Sequence, residues 1–409
     1  MKPPARRLNI ALAMSSFFPV VGGAQVTANN LGRYLTDRGH NVVAFVSPKY
    51  WRALGGRRAE FPFKILPMFP AQQSAVPRFG EPYLKLQDLY LGFMQWRYKF
   101  DVWQSFGAYP TGVSIGHFAH RRNIPHVVRT VGYDIQKDEH IGYGYRLNPK
   151  LDGLIKRWTP GVSKAIALTE SVVSDLVDIG VSMDDITIVP CGVNYNRFTE
   201  GTFDRDRVRE SHGIPRGVFT YITVGRNHPK KGFPVLVKAL AGLKSLLPDT
   251  KFHCVFVGRD MDQLEPLARS LDLVDNVTFI DEVGSSPEDD AYEVPSSPLI
   301  RLYRSMDACV FPSLIEAHSH INIEAMAAGL PVISTNAPGV RDTVVDGVDG
   351  LLATAGDPES LAEKMAEIQT NSDRREQLVA QGHESARNKY DWSVVGKQFE
   401  DLYLELVQL

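Results

Sequence analysis

Short apolar runs that alternate with helix-like segments are the feature of this sequence that most restricts its fold. Such runs occur at Leu8–Met14, Asn41–Ser47, His126–Thr130, Ala165–Thr169, Phe219–Val224, Phe252–Val257, Val277–Ile280, Asp307–Pro312 and Val332–Ser334. Helix-like segments such as Ala24–Arg38 and Val235–Leu247 separate many of them. This alternation is typical of βαβ units, whose parallel strands are covered on both faces and are therefore continuously apolar. We therefore predict an α/β protein with parallel sheets.

Two glycine-containing loops at equivalent points in the two halves predict two successive doubly wound domains. Gly22-Gly23 follows the first predicted strand and opens a helix, and Gly225-Arg226 follows the strand Phe219–Val224 in the same way. The 409 residues are enough for two domains that each bury a substantial core. The polar segment Cys191–Pro215 contains the predicted linker. We place the domains at residues 1–200 and 201–389.

Composition excludes several classes of protein. The chain has 45 Lys+Arg and 47 Asp+Glu, a net charge of −2, so no nucleic-acid partner is expected. Its three cysteines are far apart and form no CxxC motif, which favours a reducing compartment such as the cytoplasm. We interpret the first apolar run as a buried strand rather than a secretory signal. No apolar run approaches the about 18 residues of a transmembrane helix.

Three further segments have a distinctive composition. Phe61–Pro82 is rich in proline and is predicted as a surface excursion, and Gly284–Pro298 as a loop insertion. Tyr83–Phe100 mixes aromatic residues with cations. We favour a helix facing the core for this segment, because aromatic stripes usually pack inside. The alternative is an amphipathic surface for a membrane or a lipid-linked acceptor.

A loop with three cations follows the predicted strand Phe219–Val224. It runs from Gly225 to Gly232 and contains Arg226, Lys230 and Lys231, and a helix is predicted to begin directly after it. A helix N-terminus after a strand attracts anions, because its free amides and the helix dipole both favour negative charge. We interpret the loop as a phosphate site, in which Arg226 supplies a planar fork and Lys231 a compact charge. The alternative is a solvated basic turn.

A pair of glutamates follows the predicted strand Asp307–Pro312. Glu316 falls in a loop, and Glu324 falls in the first turn of a predicted helix that ends near Gly329. Carboxylates are good acceptors for sugar hydroxyls, so both residues are candidates for sugar binding. The alternative for Glu324 is that it only complements the helix dipole.

In their order and spacing, these motifs resemble the retaining family-4 glycosyltransferases of the GT-B fold. The resemblance covers nearly the whole chain and rests on Gly22-Gly23-Ala24, Cys191–Asn194 with Arg197-Phe198, Gly225-Arg226 with Lys231-Gly232, Glu316 with Glu324 and Ala325–Ile333, Asp346–Leu352, and Tyr390–Ser393. It implies two Rossmann-like domains that face a central cleft. It also implies that a C-terminal helix over 390–409 crosses back to complete the N-terminal domain.

The resemblance further implies transfer of a sugar from a nucleotide diphosphate sugar to an acceptor, with retention at the anomeric carbon. The C-terminal domain would bind the donor, and the N-terminal domain would hold the acceptor. Arg226 and Lys231 would grip the diphosphate and stabilise the charge that develops on it, and Glu324 would bind the ribose hydroxyls. Glu316 would contact the transferred sugar. Arg226, Lys231 and Glu316 are therefore the predicted catalytic residues.

Other donor contacts are implied in the same way. The segment His318-Ser319-His320 would contact the sugar or phosphates, although Ala317-His318-Ser319 stands where the family often has Gly-Phe-Gly. Gly22 and Gly23 would let the backbone of the first domain approach the donor phosphates without a Cβ in the way.

The N-terminal domain departs from the family pattern. The loop expected to carry a histidine reads Gln104–Pro110, so no catalytic histidine is assigned. Val131-Gly132-Tyr133-Asp134 stands where His-Gly-x-Asp often occurs. Asp134 is therefore a candidate for an acceptor-side role, and the alternative is a loop or capping aspartate.

No cofactor and no metal are expected. His318 and His320 lack a third ligand, while Asp204 and Asp260, each the start of an Asp-x-Asp triplet, are better explained as helix caps. The expected partners are a nucleotide diphosphate sugar and a sugar acceptor, with peripheral contact at the inner membrane face as an option. Two alternative functions share the fold: a nucleotide-sugar hydrolase or epimerase, and a non-catalytic nucleotide-sugar-binding protein.

Overall fold

The chain folds into two units, each built around one parallel sheet. The computed structural model describes residues 6–69, 75–284 and 292–408. The first unit comprises the described residues up to Cys191 and those from Trp392 onward, and the second comprises Gly192–Asp391. The assignment of an acceptor role to the first unit and a donor role to the second stays a prediction.

The first unit contains a parallel sheet of seven strands within the described residues, in the order β3-β2-β1-β4-β5-β6-β7. The strands are β1 (Asn9–Met14), β2 (Asn41–Val46), β3 (Lys64–Pro67), β4 (Val102–Phe106), β5 (His126–Arg129), β6 (Lys164–Ala167) and β7 (Ile186–Ile188). The order reverses between β1 and β4, which pair in parallel from Ile10↔Val102 to Met14↔Phe106. Such a reversal opens a crevice at the carboxyl ends of the strands, where ligands bind in this class of sheet.

The second unit repeats this arrangement with six parallel strands in the part of the chain that the structure describes. They are β8 (Phe219–Val224), β9 (Phe252–Val257), β10 (Val277–Ile280), β11 (Ala308–Val310), β12 (Val332–Thr335) and β13 (Leu351–Ala353). Their order is β10-β9-β8-β11-β12-β13, so the reversal lies between β8 and β11. Two doubly wound Rossmann-like sheets are therefore confirmed.

Helices connect the strands. In the first unit they are α1 (Gly23–Asp37), α2 (Pro48–Leu54), α3 (Ala75–Phe79), α4 (Glu81–Tyr98), α5 (Val113–His120), α6 (Pro149–Trp158) and α7 (Glu170–Asp178). In the second they are α8 (Tyr195–Thr199), α9 (Arg205–Ser211), α10 (Phe233–Leu246), α11 (Glu265–Ser270), α12 (Ser297–Arg304), α13 (His320–Ala327), α14 (Pro358–Thr370) and α15 (Ser372–Asn388). The last helix, α16 (Trp392–Gln408), belongs to the first unit. None of the helices described is long and apolar enough to cross a membrane.

Three segments differ from their predictions. Phe61–Pro82 is not only a surface excursion, because it contributes β3 to the sheet and buries Phe61 and Ile65. Its strand is short, and the prolines around it hide the pattern. The strand β4 runs on to Phe106, so the first three of the seven residues predicted as the loop Gln104–Pro110 are strand. Part of the predicted insertion Gly284–Pro298, residues 285–291, lies outside the described residues, and α12 begins within its end.

The C-terminal helix α16 is fixed to the first unit by buried polar contacts. The carboxylate of Glu400 accepts hydrogen bonds from Arg38 Nε at 3.0 Å and from His40 Nε2 at 3.0 Å. The other ring nitrogen of His40 accepts from the amide of Leu8 at 3.1 Å, so Nε2 carries the proton that it donates to Glu400. The hydroxyl of Tyr403 donates to Gln104 on β4. The predicted return of the terminal helix to the first domain is thus confirmed.

We predict that Glu400→Ala destabilises the first unit by about 3–5 kcal/mol, because it leaves buried polar partners without their acceptor. Asp401→Ala is the matched control. Asp401 is the exposed next residue on α16, and its carboxylate forms an ion pair with the exposed Lys397. This control should cost less than about 1 kcal/mol. Chemical denaturation followed by tryptophan fluorescence measures both. Equal stability of the two variants would contradict the anchoring role of Glu400.

Candidate active site

Two loops that leave neighbouring strands meet at the switch point of the second sheet. The loop 225–232 follows β8, and the loop 311–319 follows β11. The carbonyl of Lys230 accepts hydrogen bonds from the amide of Leu314 at 2.7 Å and from the hydroxyl of Ser313 at 2.9 Å. Gly232 has φ +65°, and a Cβ there would lie 2.1 Å from the carbonyl oxygen of Pro312. Only glycine permits this approach, so Gly232 brings the two loops together.

The carboxylate of Glu316 is clamped by two lysines from the facing loop. Its Oε1 accepts from Lys231 Nζ at 2.5 Å and from the hydroxyl of Ser313 at 3.0 Å, and its Oε2 accepts from Lys230 Nζ at 2.9 Å. Burial by itself would raise the pKa of Glu316, but the charges and hydrogen bonds of Lys231 and Lys230 outweigh it and lower the pKa to about 2. Glu316 is therefore ionised at neutral pH, and a cationic site is held beside it.

The cationic loop contains further polar groups. Arg226 lies just after the end of β8 and is exposed. His228 Nδ1 accepts from the amide of Lys230, and burial together with the neighbouring cations Arg226, Lys230 and Lys231 lowers the pKa of His228. The ring is therefore neutral at neutral pH. Three cations thus lie within this one loop, and two of them are paired with Glu316.

The helix α13 begins beside this cluster. Ser319 caps the helix, because its hydroxyl accepts from the amide of Asn322 at 3.3 Å, and His320 is the first helical residue. Glu324 therefore falls in the second turn rather than the first. Its Oε2 accepts from the hydroxyl of Tyr303 at 3.2 Å. Burial raises the pKa of Glu324 to about 7, against the opposing effects of His320 and Tyr303.

His318 lies between the two glutamates in sequence and is buried. Its ring packs edge-on against Tyr390, with 5.7 Å between the ring centroids, and neighbours His320 at 6.2 Å. Neither ring nitrogen of His318 has a hydrogen-bond partner among the described residues. A buried imidazole in this state costs free energy that a bound polar ligand would recover.

The second unit has a cavity where β9 and β10 end. It measures about 420 Å³ and is lined by Gly258–Asp262 and Phe279–Asp281. The amide of Asn227 donates to the carbonyl of Arg259 at 2.9 Å, and the Asn227 side chain donates to the carbonyl of Asp260 at 3.0 Å. These contacts connect the cavity to the cationic loop. Asp260 makes no side-chain capping hydrogen bond, so the predicted cap is wrong there, whereas Asp204 caps α9 as predicted.

The first unit has a cavity at its own switch point. It measures about 240 Å³ and is lined by Met14, Ser15, Ser16, Ser47, Lys49, Tyr50, Met68, Val76, Tyr83, Gln87, Pro110, Thr111 and Ser114. These residues end or follow the strands β1, β2, β3 and β4, or lie on the helices α2, α3, α4 and α5. Their side chains include several hydroxyls, an amide and one cation, which suits a ligand rich in hydroxyl groups.

The remaining predicted residues of the first unit lie near this sheet edge. Gly22 is the residue before α1, in extended conformation, and Gly23 is its first residue. Asp134 is fully buried, and its carboxylate accepts from the amides of Ala108 at 2.6 Å and Val131 at 2.9 Å. Burial raises the pKa of Asp134, against these backbone hydrogen bonds. These hydrogen bonds connect the loop after β4 with the loop after β5. The acceptor-side role of Asp134 stays a prediction.

No group of three or more His, Cys, Asp or Glu side chains is placed to hold a metal ion among residues 6–69, 75–284 and 292–408. The sequence did not reveal that Lys230 contacts Glu316 as Lys231 does. It also did not reveal that Ser313 donates to Glu316 and Tyr303 to Glu324. The cavity of the first unit was missed as well. Ser15 and Ser16 directly after β1, and Ser47 directly after β2, were the available signal, because ligands gather at the carboxyl ends of parallel strands.

Comparison with known proteins identifies the family. The family described as "Glycosyl transferases group 1" matches residues 204–385, and "Glycosyltransferase Family 4" matches residues 21–197. One match lies within each unit of the structure apart from short ends. The chain therefore belongs to the family-4 glycosyltransferases, as its resemblance to them predicted.

Individual relatives agree with this family. A phosphatidyl-myo-inositol mannosyltransferase of Mycobacterium leprae is 31% identical over 264 residues, which are 61% of this chain and 61% of that protein. The chain spans less than two thirds of the length of the curated relatives it matches, such as this one.

Solved structures define the fold class. A glycosyltransferase from Rickettsia africae ESF-5 has a TM-score of 0.78 at 17% identity, covering 98% of this chain and 99% of that one. The Anabaena protein Alr3699/HepE, crystallised with UDP, has a TM-score of 0.75 at 18% identity, covering 97% of this chain and 100% of that one. At these identities the likeness shows the fold, which is GT-B.

Proposed function

We propose that the protein transfers a sugar from a nucleotide diphosphate sugar to a hydroxyl-bearing acceptor, with retention at the anomeric carbon. The observation that carries this proposal is the cationic loop 225–232 beside Glu316, at the switch point of the second sheet. Nucleotides bind at such points in doubly wound sheets. The Anabaena protein of the same fold was crystallised with UDP, which supports a nucleotide ligand.

The proposed donor lies along the carboxyl edge of the second sheet. The diphosphate would contact Arg226 and Lys231, and the base would enter the cavity lined by Gly258–Asp262. Glu324 would accept hydrogen bonds from the ribose hydroxyls, with Tyr303 orienting its carboxylate. Glu316 would accept from hydroxyls of the transferred sugar, and His318, Ser319 and His320 would supply further contacts. Gly22 and Gly23 keep their predicted role of allowing close backbone approach.

The cations of the loop 225–232 would stabilise the leaving diphosphate. As the bond to the sugar breaks, negative charge grows on the leaving diphosphate. Cations already held beside it, the exposed Arg226 and the partly buried lysines, stabilise that charge with little reorganisation. The pairing with Glu316 holds the two lysine ammonium groups in position before a donor arrives. We propose that departure and attack occur on one face of the sugar, which gives retention.

The proposed acceptor site is the cavity of the first unit. Its serine and threonine hydroxyls, Gln87 and Lys49 suit a polyol or a phosphorylated polyol. The name of the Mycobacterium leprae relative points to the same class, since inositol is a polyol. We further propose that the protein works in the cytoplasm, at the inner face of a membrane.

The alternative functions differ in whether a second substrate is needed. A hydrolase or epimerase would convert the nucleotide sugar without an acceptor, and a binding protein would not convert it. A thermal-shift screen of nucleotide diphosphate sugars, followed by mass spectrometry of the products with and without polyol acceptors, separates these cases. A new glycosylated product that requires the acceptor supports the proposal. Equal turnover without any acceptor would replace it with hydrolysis or epimerisation.

We predict that Arg226→Ala and Lys231→Ala each reduce turnover by roughly 100- to 1000-fold, because each removes a cation from the leaving diphosphate. Lys230→Ala should cost less, about tenfold, because Lys231, the lysine that the family pattern assigns to the diphosphate, remains in place. Lys244→Ala is a matched control, because Lys244 is a lysine of the same unit whose Nζ pairs with the exposed Asp272. Steady-state kinetics with melting curves measures all four. Near-normal turnover in Arg226→Ala and Lys231→Ala would refute the donor site.

We predict that activity needs no divalent cation. The loop cations and the amides at the start of α13 can neutralise a diphosphate without one. Turnover should therefore be unchanged after exhaustive chelation and dialysis. Loss of turnover that magnesium or manganese restores would contradict this prediction, and would direct attention to Asp260 and Asp262.

The buried carboxyl of Glu324 predicts opposite pH trends for binding and stability. Its carboxylate form accepts the ribose hydroxyls, so nucleoside diphosphate binding should strengthen as the pH rises through about 7. Its pKa is raised in the folded chain, so its contribution to stability is present at low pH and is lost as the pH rises towards that value. Titration calorimetry with UDP, GDP and ADP, with melting curves, measures both. The prediction fails if Glu324→Gln shows the same pH dependence of binding as the natural chain.

A further inference from the structure

The outer face of α3 and α4 in the first unit carries a stripe of exposed apolar side chains, here called the α4 stripe. Its members and their exposed fractions are Phe79 56%, Leu86 55%, Leu89 72%, Phe93 54% and Trp96 72%. The last four are spaced by three, four and three residues, so they share one face of the helix. The opposite face is buried through Leu84, Gln87, Asp88 and Leu91. On one side α4 faces the core, as the favoured prediction had it, but Phe93 and Trp96 lie on its exposed side instead of packing inside.

A cluster of this kind needs a partner. Single exposed apolar residues are ordinary, but contiguous ones of this size mark a surface that binds something. Phe93 and Trp96 contact one another, with 5.9 Å between their ring centroids. Tryptophan has an apolar body and a polar N–H, which suits the boundary between water and lipid.

The charges beside the α4 stripe are mainly positive. Lys85 and Arg97 are exposed on the same helix, and Arg78 is exposed just before it. The carboxylates of α4 are already occupied. Asp88 is buried against His117 Nδ1 at 3.0 Å, and Glu81 pairs with Lys85 at 3.7 Å and with Arg157 at 3.8 Å.

We propose that the α4 stripe and its flanking cations dock the first unit onto the anionic surface of a lipid bilayer. An amphipathic helix with aromatic residues on one face and cations beside them lies in the interface of such a membrane. Each cation near an anionic leaflet adds favourable electrostatic energy. A symmetric contact with a second copy is disfavoured, because the same patch would face itself and bring Lys85 and Arg97 against like charges.

The α4 stripe lies on the same helices as the cavity of the first unit. The same two helices line the cavity of the first unit through Val76, Tyr83 and Gln87. The α4 stripe and the cavity are therefore built on one structural element. If the cavity holds the acceptor, which rests on the proposed function, an acceptor attached to lipid would reach it from the bilayer on which the helix lies.

The test is flotation of the full chain with vesicles of phosphatidylcholine alone or with added phosphatidylglycerol. The natural chain should bind the anionic vesicles and be released by salt, because screening weakens the cationic part. The double variant Phe93→Ser with Trp96→Ser should reduce the partition coefficient by about tenfold or more. The double variant Lys85→Glu with Arg97→Glu should bind the anionic vesicles only as weakly as the natural chain binds neutral vesicles. Met183→Ser is the matched control, since Met183 is equally exposed elsewhere in the unit, and it should bind normally.

Each contrary outcome has one meaning. Absence of vesicle binding by the natural chain, or equal binding by the Phe93 and Trp96 double variant, would overturn the proposal. A concentration-dependent dimer in light scattering that the same variant abolishes, without vesicle binding, would assign the surface to a second copy and also overturn it. Nucleotide binding by each variant is measured in parallel. Because that readout depends on the second unit, failure of the docking and failure of the proposed function are distinguishable.

Discussion

The contact between Glu316 and the two lysines is the interaction on which the proposed donor site depends. Bringing two ammonium groups into a partly buried loop would be costly without a carboxylate to neutralise them. Glu316 supplies that carboxylate through both oxygens, and Ser313 holds it in place. The same pairing lowers the pKa of Glu316 and keeps it ionised, and it opposes the burial that lowers the pKa of Lys231. The three cations of the loop outnumber this one carboxylate, so the site keeps a net positive charge that the proposed diphosphate would neutralise.

The fold produces this contact through strand order and close backbone approach. Because β8 and β11 are adjacent at the reversal of the sheet, the loops that follow them leave side by side. Gly232 lets the first loop touch the carbonyl of Pro312, and the carbonyl of Lys230 then accepts two hydrogen bonds from the second loop. The lysine side chains are thereby directed towards Glu316. The first unit repeats the reversal at β1 and β4, where its cavity lies.

The sequence predicted the parts of this structure that depend on local patterns. The strands β8, β9 and β10 were predicted to the residue, since continuous apolar runs mark buried parallel strands. The edge strand β3 was missed because it is short and lies among prolines. The clamp was missed because Lys230 and Glu316 are far apart in sequence and meet only through the fold. The α4 stripe was placed in the core, since a pattern of apolar residues does not tell which face of a helix is covered.

We propose that a nucleotide diphosphate binds at the carboxyl edge of β8 and β11. Crystals of the chain grown separately with UDP, GDP and ADP test it most directly. We predict density for a diphosphate in contact with Arg226 and Lys231, and for a ribose within hydrogen-bonding distance of Glu324. A well-defined nucleotide at any other place in the second unit, with no contact to Lys230, Lys231 or Glu316, would contradict this donor site.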